Sequence, residues 1–301
     1  VKYTLFILLS LSFAALGFGG AVENKINEPY QKEIETWRQE RLTSLKSDTG
    51  WLTVVGLFWL KEGENKFGSD DSNAIVFPKG KAPASAGSFL LEKDQVRITT
   101  KEGSGITSDG KPVASLALQP DTSGQPTILT LGSLSFFTIK RGEKFAVRLK
   151  DKESEARQHF SGLQYYPIDT KWRVAAKWVP YNPAKKIQIL NVIGMLEDSD
   201  CSGAVEFVVE GKTYRIDALE EGEGDDKALF LIFGDQTNGK ETYGAGRFLY
   251  SDAPDTAGKV IVDFNEAYSP PCAFTTFATC PLPPKQNKLP LRIKAGEKKY
   301  H

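Results

Sequence analysis

The chain has 301 residues, enough for one large domain or two ordinary ones, and its 40% hydrophobic and 25% charged residues are the balance of a globular protein. Its 38 Lys and Arg equal its 38 Asp and Glu, with no basic tail or acidic run, which argues against a dedicated nucleic-acid binder. Eighteen Phe, ten Tyr and five Trp against a single Met suit a β-rich core better than a helical one.

The chain opens VKYTLFILLSLSFAALGFGGAVEN. Lys2 is a positive flank, Tyr3 to Ala21 carry no charge, and Gly19-Gly20-Ala21 offers small residues for cleavage. This is the layout of a secretory signal peptide over 1–21. The initial Val fits a non-ATG start codon and a bacterial source. No Cys follows the apolar run to take a lipid anchor. The rival reading is an uncleaved anchor helix, since the run is almost long enough to span a bilayer. A periplasmic or secreted location is expected, and thiols in those compartments tend to pair.

Within 22–49, Asn27 and Pro29 mark a helix start, and Tyr30, Ile34, Trp37 and Leu45 recur at helical spacing, which predicts an amphipathic helix over about 28–46, ended by Asp48-Thr49-Gly50. Helical periodicity then largely disappears. WLTVVGLFWL, NAIVFP, SFLLE, QVRITT, ILTLGSLSFFTIKRG and KFAVRLKD read as strands, with hairpin turns at Asp109-Gly110 and Arg141-Gly142-Glu143. A β-sandwich half over 50–150 is expected. The charged stretch 151–170 marks a boundary, and WRVAAKWV, KKIQILNVIG, GAVEFVVEG, KTYRIDALEE, KALFLIFGD, YGAGRFLY and KVIVDFN read as strands of a second half, 151–301, a curved sheet or partial barrel. Asn238-Gly239 is the strongest hairpin signal, and GEGDD at 222–226 is a solvated turn. The fold class is therefore mainly β, with one N-terminal helix and two β-rich halves.

Only two histidines occur, His159 and His301, so a metal site built from several His is not available. A Ser-His-acid triad would need His159, and no GxSxG elbow accompanies it; a boundary-loop histidine is the plainer reading. No P-loop or GxGxxG follows a strand, so nucleotide binding is unsupported. No metal and no cofactor is expected.

The densest segment is 262-VDFNEAYSPPCAFTTFATCPLPP-284, with Cys272, Cys280 and five prolines; the third cysteine, Cys201, stands alone in EDSDCSGA. Three readings of Cys272 and Cys280 compete: a disulfide closing a small proline-stiffened loop, a reactive thiol, and two unpaired buried thiols. Export favours the first. Other candidates are polar residues among apolar strands. Arg247 follows the small residues of YGAG, where glycine lets a ligand approach the backbone, and its guanidinium suits a carboxylate or phosphate. Asp263 and Asn265 alternate with Val262 and Phe264 and so share a face, with Tyr268 and Cys272 following in the loop. Arg148 and Asp151 form a similar group at the end of the first half. The competing reading for each is a buried pair that pins strands and loops. Trp172, Trp178 and Tyr181 are read as core.

The segments 239-GKETYGAGRFLY and 263-DFNEAYSPPCAFTTFATCPLPPKQNKLPLRIKAGEK resemble the C-terminal signature of a bacterial family, the domain of unknown function 1684 (DUF1684). GWLTVVGLFWLKEGENKFGSDDSNAIVFP, from Gly50, is similar to its N-terminal signature, and RGEKFAVRLKDKESEARQHFSGLQYYPIDTKWRV to its middle, so the resemblance spans about 30–297. The family implies no reaction. GENKFGSDDSNAIVFP also resembles the opening of a forkhead-associated β-sandwich, in which an Arg with a later Ser and His binds phosphothreonine. Here Ser69 stands at the Arg position and no His follows within several strands, so phosphopeptide binding does not carry over.

The expectation is an exported protein that binds a small polar or anionic ligand in its C-terminal half through Arg247, Asp263, Asn265, Tyr268 and Cys272. The alternatives are a hydrolase-like or thiol-dependent enzyme using Asp263 or Cys272, and a cell-envelope scaffold without a small ligand. No nucleic-acid partner and no membrane segment beyond the leader is expected.

Overall fold

Pro29 and Gly50 bracket the first element. Helix α1 spans Glu28–Lys46, as its apolar spacing predicts, and buries Tyr30, Ile34 and Leu45. Pro29 lies in its first turn, where a missing N–H is harmless, and Glu28 puts negative charge at the positive end of the helix dipole. Asn27 occupies the cap position, but its side chain makes no capping bond; only its carbonyl accepts, from Gln31 N–H. Gly50 turns the chain so close to the helix end that a Cβ there would lie 2.3 Å from the Leu45 carbonyl oxygen. The computed structural model describes residues 27–300; the expected leader over 1–21, with its cleavage site and rival anchor, and His301 lie outside them. Among the described residues no helix is long and apolar enough to cross a membrane.

The first half holds β1 (Val54–Trp59), β2 (Gly63–Gly68), β3 (Ile75–Val76), β4 (Gly87–Glu92), β5 (Gln95–Thr100), β6 (Thr107–Ser108), β7 (Lys111–Pro112), β8 (Ser115–Leu118), β9 (Leu129–Leu131), β10 (Leu134–Arg141) and β11 (Lys144–Asp151). They form two sheets, β3-β2-β4-β5-β8 and β1-β11-β10-β9-β6-β7. Alternation in each strand sends one set of side chains inward. Phe67, Phe77 and Phe89 of one layer meet Phe136, Val147 and Leu149 of the other, with the Phe77 and Phe136 rings edge-on at 5.1 Å. Asp109-Gly110 turns β6 into β7 with both residues at positive φ, as the sequence suggests. Lys93 and Asp94 do the same between β4 and β5, a turn without glycine that the sequence does not advertise.

After a short helix α2 (Glu155–Gln158), the second half runs β12 (Arg173–Leu190), β13 (Leu196–Val209), β14 (Lys212–Glu221), β15 (Ala228–Phe233), β16 (Arg247–Asp252) and β17 (Lys259–Asp263). The sheet order β16-β15-β14-β13-β12-β17 is a meander whose last strand returns beside its first. The curl is nearly closed: Ser251 of β16 donates to the Ile261 carbonyl of β17 at 2.5 Å. Val174, Phe207, Ile216, Leu231, Leu249 and Val262 fill its interior together with Leu289, Leu291, Ile293 and Ala295, alternate residues of the tail.

Two expectations change. WRVAAKWV and KKIQILNVIG are one strand, β12, not two; its register to β13 shifts between Pro180 and Lys185, and such an irregularity is where a strand accommodates proline. Asn238-Gly239 is not a two-residue hairpin. Phe233 pairs with Arg247, leaving a long loop inside which the Asn238 side chain accepts from Asp235 N–H at 2.6 Å and donates to the Thr242 hydroxyl at 2.9 Å and the Tyr243 carbonyl at 3.0 Å. The turn is local, but the strands it was expected to join lie further apart.

Candidate functional site

Arg247 and Leu249 share the inner face of β16, so Arg247 points into the curled sheet, where it is fully buried. It pairs with Asp235 at 2.5 Å and donates to the carbonyls of Ala295 at 2.5 Å and Ile293 at 2.9 Å. These bonds tie the tail into the core. Asp263 and Asn265 belong to a different cluster. Tyr30 of α1 donates to Asp263 at 2.8 Å and accepts from Asn265 at 2.9 Å; Arg173 reaches Asp263 at 3.2 Å; and Asn265 donates to the Asp169 carbonyl at 3.0 Å. This polar knot fastens α1 to the second half, and burial followed by the Asp263 bond pushes the Tyr30 phenol above its ordinary value. Next to it, burial and then Asp263 and Glu33 push the Glu266 carboxyl up to about 7. Tyr268 lies edge-on to Phe248 at 5.9 Å, with the Arg41 guanidinium 4.6 Å from its ring centre. Arg247, Asp263 and Tyr268 therefore have separate partners and do not line one pocket. His159 is exposed, one ring nitrogen 3.1 Å from the Glu155 carbonyl.

The proline-rich loop lies against the outer face of β15 and β16. Cys280, Cys272, Ala278 and Tyr268 cover Phe230, Ile232 and Phe248, and Trp51 of the first half joins them. The loop touches both halves: Thr275 donates to the Val54 carbonyl at 3.1 Å and Arg141 donates to Thr279 at 3.1 Å. Cys201, Cys272 and Cys280 are all free thiols, so the disulfide expected between Cys272 and Cys280 does not close the loop, which hydrogen bonds and packing hold instead. Cys272 N–H donates to the Cys280 sulfur at 3.2 Å, and the Tyr243 hydroxyl donates to the Cys272 carbonyl at 2.9 Å. The first thiolate of this pair forms readily: the neighbouring S–H of Cys280 stabilises it and, against the effect of burial, brings Cys272 down to about 7. Cys201 is buried on the same outer face, donates to the Gly203 carbonyl at 3.2 Å, and is pushed up by burial.

Between the halves the loop roofs a cleft of about 370 Å³. Trp51, Arg141 and Arg148 form one wall, Glu197, Ser199 and Glu221 part of the other, Phe230 and Phe248 the apolar floor, and Thr279 and Cys280 the loop side. Strand parity explains Arg148. Phe145, Val147 and Leu149 face the sandwich core, so Arg148 must face the second half. The same parity separates it from Asp151, which pairs with Lys81 at 2.5 Å, so the grouping expected of Arg148 with Asp151 does not form. Arg141 is engaged by Asp121 at 2.8 Å and by Thr279. Arg148 is not: it is 4% exposed, its Nε and Nη2 are buried without a hydrogen-bond partner among the described residues, and its guanidinium lies 5.0 Å from the Trp51 ring centre. Burial, then Arg141, pushes it down to about 10, which leaves it charged at neutral pH. Opposite, Glu197 Oε1 is likewise buried without a partner, while Glu221 accepts from the Tyr250 hydroxyl at 2.7 Å. A buried cation needs an anion or hydrogen-bond acceptors nearby, so the cleft is suited to a small molecule that presents a carboxylate or phosphate to Arg148. Among the described residues no group of three or more His, Cys, Asp or Glu is placed to hold a metal ion. Trp51 and Glu197 carried no sequence signal, because their partners are far away in the chain; Arg148 was visible as a charge between Val147 and Leu149.

The fold is that of a mainly β protein with an N-terminal helix and a polar cleft beside its nearly closed C-terminal sheet. Residues 158–298 match the model of the family described as a protein of unknown function, DUF1684, and the chain belongs to that family through this segment. The match covers the second half, not the 30–297 that the motifs suggested. The solution NMR structure of the uncharacterized protein from gene locus rrnAC0354 of Haloarcula marismortui is 30% identical, over 47% of this chain and 78% of that one, with a TM-score of 0.40. No curated protein matches the chain.

Proposed function

We propose that the protein binds a small anionic molecule, a carboxylate or phosphate, in the cleft between its halves. The observation that carries this reading is Arg148, a buried guanidinium with two donor nitrogens and no partner for either among the described residues. The role expected of Arg247 thus falls to another arginine, on the facing half. Isothermal titration with inorganic phosphate and with citrate tests it. The expected result is saturable binding of at least one of them by the native chain and none by Arg148→Met; equal titration by both proteins would place the anion elsewhere.

The apolar leader, with Lys2 before it and small residues at its end, supports export of the mature chain. The likeness of the first half to forkhead-associated sandwiches is supported by its two packed sheets and extends to architecture alone: at the position of the family's phosphate-binding Arg, the Ser69 hydroxyl donates to the Ala82 carbonyl at 2.8 Å.

A further inference from the structure

Cys280 and Arg148 line the same cleft, and Cys272 stands directly behind Cys280. From this juxtaposition we infer that Cys280 and Cys272 form a thiol–disulfide exchange pair for a small carboxylate-bearing disulfide held by Arg148. The inference rests on the anion-binding reading of the cleft and names its ligand class. Three features support it. The Cys272 amide N–H donates to the Cys280 sulfur at 3.2 Å and would stabilise negative charge on it. The hydrogen bond with Cys272 and burial push the Cys280 thiol up, and the charge on Arg148 works against that rise. The unpartnered Glu197 Oε1 across the cleft suits an ammonium group, so a disulfide of amino-acid type could satisfy both walls. Prolines 270, 271 and 281 flank the two cysteines and limit the arrangements open to the loop.

The chemistry balances with the ligand as oxidant. The pair gives up one proton to solvent, first as the Cys272 thiolate; the Cys280 proton then passes to Cys272, and the Cys280 thiolate attacks one sulfur of the ligand R–S–S–R. The ligand S–S bond breaks, Cys280–S–S–R forms, and RS⁻ leaves and takes up a proton. Cys272 then loses its proton and attacks the Cys280 sulfur. A Cys272–Cys280 bond forms and a second RS⁻ leaves, to be protonated in turn. Two protein thiols are oxidised, one disulfide is reduced, and two thiols RSH are released.

The test uses the reduced, purified chain with cystine or with uncharged hydroxyethyl disulfide, followed by an acid quench and peptide mass spectrometry. The expected product is a Cys272–Cys280 linked peptide, formed about tenfold faster with cystine, the preference a charge-assisted contact can give. Cys272→Ser should stop at a Cys280 half-cystine adduct. Arg148→Gln should lose the preference for cystine yet still react with hydroxyethyl disulfide. Inert thiols in a chain that binds phosphate or citrate would overturn this inference and leave the cleft reading standing. Equal rates with the two disulfides, in a chain that binds neither anion, would overturn both.

Discussion

Replacing Arg247 by Met separates a structural arginine from a ligand-binding one. The substitution keeps much of the volume and removes three contacts, to Asp235, Ala295 and Ile293. It leaves the Asp235 carboxylate inside the curled sheet without its cation. Breaking a buried pair from one side costs about 3–5 kcal/mol. The lower end applies here, because Asp235 keeps the Thr237 amide at 2.7 Å and the weaker Ile293 amide at 3.4 Å. At about 2–4 °C per kcal/mol for a chain of roughly this size, a 3 kcal/mol loss lowers the melting temperature by about 6–12 °C. Differential scanning calorimetry of the native chain, Arg247→Met and Arg247→Met/Asp235→Asn measures this. The double variant should regain part of the loss, since no uncompensated charge stays buried. A single variant that melts with the native chain would refute the structural assignment and return Arg247 to the candidate binding residues.

The Glu266 carboxyl has a raised folded-state value of about 7, so the folded chain holds its proton more tightly than the unfolded chain. That contribution to stability is complete below about pH 4.3 and is lost as pH rises through 7. Glu266→Gln should flatten the decline and gain about 1–2 kcal/mol above pH 7, a figure reduced for partial exposure, in urea titrations repeated from pH 4 to 8. Tyr30→Phe removes the hydroxyl between Asp263 and Asn265; it should cost about 1–2 kcal/mol and speed amide exchange in α1 ahead of the sheets, and uniform exchange would contradict the fastening role of the knot. Gly246→Ala places a Cβ 2.4 Å from Pro283 and 2.8 Å from the Phe233 carbonyl at a φ of +101°, so it should destabilise by more than about 1 kcal/mol, with the Pro283 segment the first to become protease-sensitive.

The helix and most strands were legible because their signals are local. The spacing of Tyr30, Ile34 and Leu45, the alternation in KFAVRLKD, and Asp109-Gly110 each depend on a few neighbouring residues. The misreadings came where side-chain bonds, whether within a loop or across the fold, decide. Asn238-Gly239 turns the chain as its chemistry requires, but its loop is held by Asp235, Thr242 and Tyr243, so the ladder begins only at Arg247. No expectation placed the tail after the proline-rich loop, yet Leu289, Leu291, Ile293 and Ala295 enter the core at every second position, held there by Arg247. Of the polar candidates, Arg148, Asp151, Arg247, Asp263 and Asn265 are buried. Which of them was already satisfied could not be read from the sequence, since Tyr30 lies 233 positions from Asp263 and the walls of the cleft come from opposite halves.

The anion cleft is the central claim, and melting of native and Arg148→Met protein in chloride and in phosphate or citrate buffers at matched ionic strength tests it most directly. Because Arg148 is buried and its Nε and Nη2 have no hydrogen-bond partner among the described residues, the Met variant should match the native chain's stability in chloride or exceed it by about 1–4 kcal/mol, as apolar replacements of buried charges often do. At 100 times its Kd, a bound anion should stabilise the native chain by about 2.7 kcal/mol and leave the variant unmoved. A variant that melts well below the native chain, with neither protein responding to the anions, would contradict the claim and make Arg148 a structural residue of the interface between the halves.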